Sequence, residues 1–285
     1  MENMKSIKKR VKSIENTKQI TKSMQLVSTA KIQRARKRLE NSTPFFEETK
    51  NAVLLAAGSC VNSKHPYVYN KEVKSSLIIV VGGDRGLCGG YNSNVSREAE
   101  SHMLKRPDPK VITIGIKIRD YFRRRRRNII KAYSNISDMP SFEDAAEIGK
   151  FALTLFNDGE VDEIYLAYTK FHNMLNLEPV IHKLLPLEIE KKEENEDKGF
   201  RYIAFEPDTG TFLKRAVPHY VMARIYEGMV EAEACQHSAT LTNMDAAVNN
   251  SDKLIEYLSL QYNKLRQSGI TQEITEIVGG SIGTD

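Results

Sequence analysis

From Pro218 to its end at Asp285, the sequence contains no further proline. Read as one helix from His219 to Ile277, this stretch would be roughly 85–90 Å long at 1.5 Å per residue. A compact protein of 285 residues has no room for such an element inside its own core. Either it protrudes, or something else encloses it. Its apolar pattern opens with Val221, Ile225 and Met229 and closes with Leu254, Leu258 and Leu265. Between them lie Ala232, Ala234, Ser238, Ala239, Ala246 and Ala247, whose small side chains let a second helix approach closely.

The partner helix is at the other end of the chain. Apolar residues fall at Met4, Ile7, Val11 and Ile14, then Ile20, Met24 and Val27, the three- and four-residue steps of a coiled-coil seam with Thr17 as its weak point. Lys8, Lys9, Lys12, Lys18, Lys22 and Lys31 occupy the opposite face. The first forty positions hold twelve lysines and arginines against three glutamates, although the whole chain carries only +5. Pro44 lacks a backbone donor and restricts Thr43, so local chemistry ends or kinks the helix there. A second helical run, Phe45–Gly58, follows directly.

The middle alternates strand and helix, the pattern of an α/β domain with a largely parallel sheet. Val61–Lys74 reads as a linker. Ser75–Val81 is a continuous β-branched apolar run, as expected of a strand covered on both faces. It leads into a glycine-rich loop, Gly82–Gly90, and then a helix over Asn92–Leu104. Strands are expected at Lys110–Ile116 and Asn128–Tyr133, with a helix over Lys117–Arg126 between them. Ser141 caps a helix that runs to Asn157, with Glu143 and Asp144 in its first turn. Val161–Thr169 alternates as a strand, and Asn176–Pro186 can pair with it. Glu188–Lys198 has the profile of a solvated loop, and Gly199–Phe205 reads as a last strand. The expected divisions are 1–58 for the N-terminal coiled-coil helix, 59–207 for the α/β domain and 208–285 for the C-terminal coiled-coil helix.

Little in this inventory points to catalysis. The glycine-rich loop does not fit a G-x-G-x-x-G phosphate turn, and no GxxxxGK[ST] occurs. Tight turning against another surface suits it better. The six histidines have no metal-ligand spacing, and no HExxH occurs. The three cysteines, Cys60, Cys88 and Cys235, form no CxxC pair, which argues for a reducing compartment. No signal peptide is read at the N-terminus, and no apolar run reaches 18 residues. The run Arg123–Arg127 reads as a solvated helix end or a polyanion contact. Three readings stay open on these grounds: a coiled-coil protein that needs a protein partner, an α/β enzyme oligomerised by its coiled coil, and a basic nucleic-acid binder.

Three stretches together resemble the gamma subunit of bacterial F-type ATP synthases, the central rotor shaft. They are Ser6–Ile14 running on through Thr17–Ser28, the loop Asp84–Asn92, and Tyr262–Gly280. The resemblance spans both ends and the middle of the chain. It implies an antiparallel coiled coil of the two termini with an inserted Rossmann-like α/β domain. It also implies that the N-terminal helix runs on, kinked, through the Pro44 region.

The implied role is a non-catalytic shaft inside three α and three β subunits, with its α/β foot on the membrane c-ring beside the epsilon subunit. Ion flow would turn ring and shaft. The protein would be peripheral, on the cytoplasmic face of the cell membrane, with no cofactor, no metal and no nucleic acid. By the same resemblance, Arg266 and Gln267 match positions that contact the β catch loop, and Lys22 and Met24 face the acidic lower region of β. Cys88 lies near that region, and Tyr202, Phe205 and Glu206 match the foot that meets epsilon and the c-ring. Gly83 stands where the family often has Ser, and Tyr91 where it often has Leu. The chain lacks the cysteine-bearing insertion of chloroplast members, so thiol control of that kind is not expected.

Overall fold

The computed structural model describes residues 3–59, 65–69, 72–188 and 208–282. The chain divides into two compact units, one of residues 1–29 with 240–285 and one of residues 30–239. Two long helices, α1 (Met4–Ser59) and α5 (Thr209–Ile282), contribute to both.

In the first unit α1 and α5 pair antiparallel. Lys18 forms an ion pair with Asp252, and seven residues further along α1 Gln25 Nε2 donates to Asp245 Oδ1 at 3.2 Å. Ile7 and Val11 share a groove with Ser259 and Tyr262. The seam of α1 runs through positions 7, 11, 14, 18, 21, 25 and 28, in alternating steps of four and three. Thr21 and Ser28 are therefore buried, whereas Ile20 and Val27 are 63% and 58% exposed.

This corrects the seam expected from the sequence. Ile20 is six residues past Ile14, roughly 120° off the seam at 3.6 residues per turn, and Val27 repeats that displacement one heptad later. On α5 the covered line includes Met244, Ile255, Leu258 and Tyr262, while Leu254 and Leu265 lie on the exposed side.

The second unit is built on a five-stranded sheet in the order β3-β2-β1-β4-β5. Its strands are β1 (Ser76–Val81), β2 (Pro109–Ile114), β3 (Asn128–Tyr133), β4 (Glu163–Phe171) and β5 (Leu177–Leu185). The first four run parallel, and β5 returns antiparallel along β4. Every residue of β1 is buried, as its unbroken apolar run requires.

Alternate side chains of β1 serve opposite faces. Ile78 and Val80 pack with Val95 of α2 (Tyr91–Met103) and with Ile118 and Phe122 of α3 (Ile116–Arg124). Leu77, Ile79 and Val81 join the larger core with Ala152 of α4 (Phe142–Asn157) and Val221 and Ile225 of α5. Each such side chain contributes about 1.5–3 kcal/mol through burial. The helix α4 begins as its sequence dictates. Ser141 accepts from the Asp144 N–H at 3.1 Å, and Asp144 accepts from the Ser141 N–H at 3.1 Å, a reciprocal capping box.

Both prolines of the long helices lie inside them. Pro44 is exposed, and so is Glu40, whose carbonyl loses its usual donor to the proline ring. Water can satisfy that carbonyl, while Phe46, Val53, Ala56 and Ala57 anchor the following turns in the core. The local tendency to stop is overridden by packing. The helix α5 starts ten residues before His219, where Asp208 Oδ1 accepts from the Thr211 N–H at 2.9 Å.

The seam assignment predicts a contrast in the isolated chain. Ile7→Ala should cost about 2–4 kcal/mol, and Ile20→Ala should stay within about 0.5 kcal/mol. Denaturant unfolding of both variants checks this; equal losses would place Ile20 in the seam after all.

Candidate functional site

In a doubly wound sheet of this order, ligands bind at the C-terminal strand ends where the strand order reverses, here between β1 and β4. The glycine-rich loop leaves β1 at that point. Its backbone groups are already engaged: the Gly83 N–H donates to Asn92 Oδ1 at 2.8 Å and the Asp84 N–H to Ser137 Oγ at 3.0 Å. The helix α5 stands over the loop. A Cβ added to Gly83 would lie 2.6 Å from Gln236 Oε1, and the Tyr91 hydroxyl donates to the Ala232 carbonyl at 3.0 Å. Gly115 closes the turn after β2 with φ at 101°, where a Cβ would strike the Gly82 carbonyl oxygen at 2.5 Å. The crevice that would hold a nucleotide is occupied by the chain's own helix.

Cys88 belongs to this closed edge. It is buried with Tyr91, Cys235 and Ala239, and Asn92 Nδ2 donates to its sulfur at 3.1 Å. Burial pushes its thiol pKa up, which keeps it protonated and inert. The outward side chains of the loop are Arg85 and Leu87.

Along α5 every residue from Glu227 to Ala239 is buried, charged ones included. Glu227 pairs with Arg224, and Glu231 Oε2 accepts from the Phe171 N–H at 2.8 Å. Glu233 meets Arg38 of α1 at 2.7 Å. Burial pushes the Glu233 carboxyl up to about 7, against the pull of Arg38 and Lys31 and with the help of Asp138. His237 is held down to about 4 by burial and by Lys31 and Arg85, which together outweigh the opposing pull of Asp138. These groups lie between packed surfaces, and their partners are structural.

The residues singled out by sequence are not gathered into one place. Lys22 is exposed and Met24 half-buried on α1, while Arg266 and Gln267 are exposed on α5, all in the first unit. Gln25 is opposite Asp245, and Arg266 is 21 residues further along α5, roughly 30 Å at 1.5 Å per residue. Cys88 belongs to the second unit. Tyr202, Phe205 and Glu206 fall outside the described residues, as do the expected strand Gly199–Phe205 and all of the acidic loop except Glu188.

The arginine run ends α3. Arg125 and Arg127 both bind Glu100 of α2, at 3.0 and 2.8 Å, and Arg125 lies 3.7 Å over the Tyr121 ring. Two of the five arginines therefore tie α3 to α2.

The first unit leaves apolar residues uncovered that sequence reasoning either placed in the seam or passed over. Ile20 and Val27 are such residues on α1, and Ile270, Ile274 and Ile277 on α5. The signal was present, since 270, 274 and 277 are spaced by four and three and face one side of a helix. Among the described residues no helix is long and apolar enough to cross a membrane.

A family profile described as ATP synthase matches residues 3–282. The chain is 40% identical to the ATP synthase gamma chain of Lachnoclostridium phytofermentans, with 99% of each chain covered. The chain belongs to the ATP synthase gamma chain family. It is also 36% identical to the ATP synthase gamma chain, sodium ion specific, of Acetobacterium woodii, over 98% of each chain.

The fold is shared with solved structures. The rotor of the Euglena gracilis mitochondrial ATP synthase superposes with a TM-score of 0.69 at 17% identity, covering 94% of this chain and 98% of that one. The central stalk of the Tetrahymena thermophila mitochondrial enzyme gives 0.62 at 22% identity, covering 80% and 99%. As a gamma chain, this protein is a non-catalytic subunit. The closed crevice gives a physical reason why its α/β unit is not an enzyme. Nothing favours the oligomerised-enzyme or nucleic-acid readings.

The Glu233 carboxyl makes stability depend on pH in a definite sense. Its folded pKa, about 7, lies above the ordinary 4.5. Its contribution is therefore complete below about pH 4.5 and is lost as pH rises through 7. Relative to wild type, Glu233→Gln should gain on the order of 2 kcal/mol between pH 4.5 and 7.5. Denaturant titrations across that range check it; a difference that stays flat would mean that Glu233 is ionised throughout.

Proposed function

We propose that this chain is the rotating shaft that couples ion flow through a membrane c-ring to ATP synthesis or hydrolysis on surrounding subunits. The observation that carries the reading is the uncovered apolar surface of the first unit. Ile20, Leu26, Val27, Leu260, Ile274 and Ile277 are each more than half exposed, on two helices whose shared seam includes the polar Thr21 and Ser28. So much exposed apolar side chain beside a polar seam marks a surface meant for a partner. A ring of three α and three β subunits would enclose it.

A shaft drives its surroundings only if it binds their conformations unequally at each angle. Arg266 suits this role, because its forked donors match carboxylates of a β catch loop, with Gln267 beside it. Roughly 30 Å along the helices, Lys22 and Met24 offer a cation and an apolar contact to the acidic lower region of β. The glycine-rich loop meets the same region through Arg85 and Leu87, with Cys88 packed beneath them. Tyr202, Phe205 and Glu206 are assigned to the foot that meets the epsilon subunit and the c-ring. The assembly is peripheral to the membrane on its cytoplasmic face.

The test is rotation. The chain is assembled with α and β subunits that are fixed to a surface, and a probe on the α/β unit is watched as ATP is added. One-way stepping is expected. Arg266→Ala and Gln267→Ala should lower the torque while hydrolysis continues; loss of a charged hydrogen bond at Arg266 is worth about 1.5–3 kcal/mol. Hydrolysis without turning would remove the coupling role. ATP turnover by the purified chain alone would remove the non-catalytic one.

A further inference from the structure

The connection between β3 and α4, residues 134–140, touches α1, α5 and the glycine-rich loop of the second unit. Ser137 is buried, and its hydroxyl donates to Asp84 Oδ2 at 2.6 Å. The Ser137 N–H reaches the same oxygen at 3.3 Å, and Asp84 Oδ1 accepts from the Ile116 N–H at 3.0 Å. The neighbouring residue, Asp138, serves the helices. Its Oδ2 binds Lys31 Nζ of α1 at 3.1 Å and Arg85 of the glycine-rich loop at 3.6 Å. Its Oδ1 accepts from Gln236 Nε2 of α5 at 3.3 Å. One half-buried carboxylate thus collects donors from both long helices and from the loop.

We infer that this connection is a bracket that passes torque between the helix pair and the glycine-rich loop, with Asp138 as its positioning residue. The inference rests on the rotor reading, in which that loop meets β. The apolar core of this unit is extensive but non-directional, so it fixes how deep α5 lies better than it fixes its angle. Hydrogen bonds and ion pairs have preferred directions and resist turning. A single exposed ion pair contributes little. Three donors on one half-buried carboxylate, backed by the Ser137–Asp84 pair next to it, act as a network.

The experiment uses the complete ATP synthase carrying this chain, reconstituted in vesicles. ATP hydrolysis and ATP-driven ion uptake are measured together, with melting of the complex in parallel. Asp138→Asn keeps the shape and loses the charge. It should lower the ions moved per ATP at least about twofold while hydrolysis and melting stay near wild type, because a network of this kind is worth more than its separate pairs. Asp138→Glu should restore the ratio, and Lys31→Gln should lower it less.

An unchanged ratio in Asp138→Asn overturns the inference, and so does a lower melting temperature with an unchanged ratio. If Asp138→Asn does not assemble, Lys31→Gln removes its partner on α1 and decides: a lowered ratio supports the inference and an unchanged one overturns it. Hydrolysis without ion uptake in the unsubstituted complex would instead overturn the rotor reading.

Discussion

The second unit depends on the burial of α5 from Glu227 to Ala239 on every side. A helix enclosed all round normally carries only apolar residues. This one carries Glu227, Glu231, Glu233, Gln236 and His237, and each must find a partner or change its protonation. Arg224, the Phe171 N–H and Arg38 supply partners for the three glutamates. Their positions follow from where the helix lies, and they tie it to β4 and α1. The same placement closes the crevice at the sheet edge. A doubly wound sheet becomes a mount for a helix, and Gly83 serves close approach to that helix instead of a phosphate.

The first unit follows a different constraint. Its two helices have a regular heptad seam, yet the seam takes up Lys18, Thr21, Gln25 and Ser28 and leaves isoleucine, leucine and valine outside. Polar seam residues are costly in stability and fix register. The Lys18–Asp252 and Gln25–Asp245 contacts do so here. A pair of helices selected only for its own stability would have the reverse arrangement. An outward apolar stripe is economical only when another surface covers it, as the proposed rotor reading requires.

Charge is used differently in the two units. On the first, Lys22 and Arg266 lie in solvent, available to a partner. In the second, charges meet partners on the same chain: Arg125 and Arg127 on Glu100, Arg38 on Glu233, and Lys31 on Asp138. A five-arginine run that reads as a solvated helix end or a polyanion contact is in part an internal clamp between α2 and α3. The difference is set by neighbours that are remote in sequence.

The sequence by itself determined the elements and their class. The unbroken apolar run of β1, the Ser141 cap, the alternation of strand and helix and the long proline-free C-terminus are local signals with local causes, and they led to the α/β fold with paired terminal helices. The three family stretches then carried the function. The tertiary structure decided what depends on distant neighbours. It carried α1 through Pro44, because Pro44 and Glu40 lie on the exposed side while the next turns are anchored. It moved the seam from Ile20 and Val27 to Thr21 and Ser28, because a coiled coil keeps its 3.5-residue period whatever the side chains prefer. It turned Cys88 inward and put α5 in the crevice, since no local pattern records which helix fills a cleft 141 residues away in sequence. And it brought Asp138 against donors 107 and 98 residues distant, a meeting that exists only once the chain has folded.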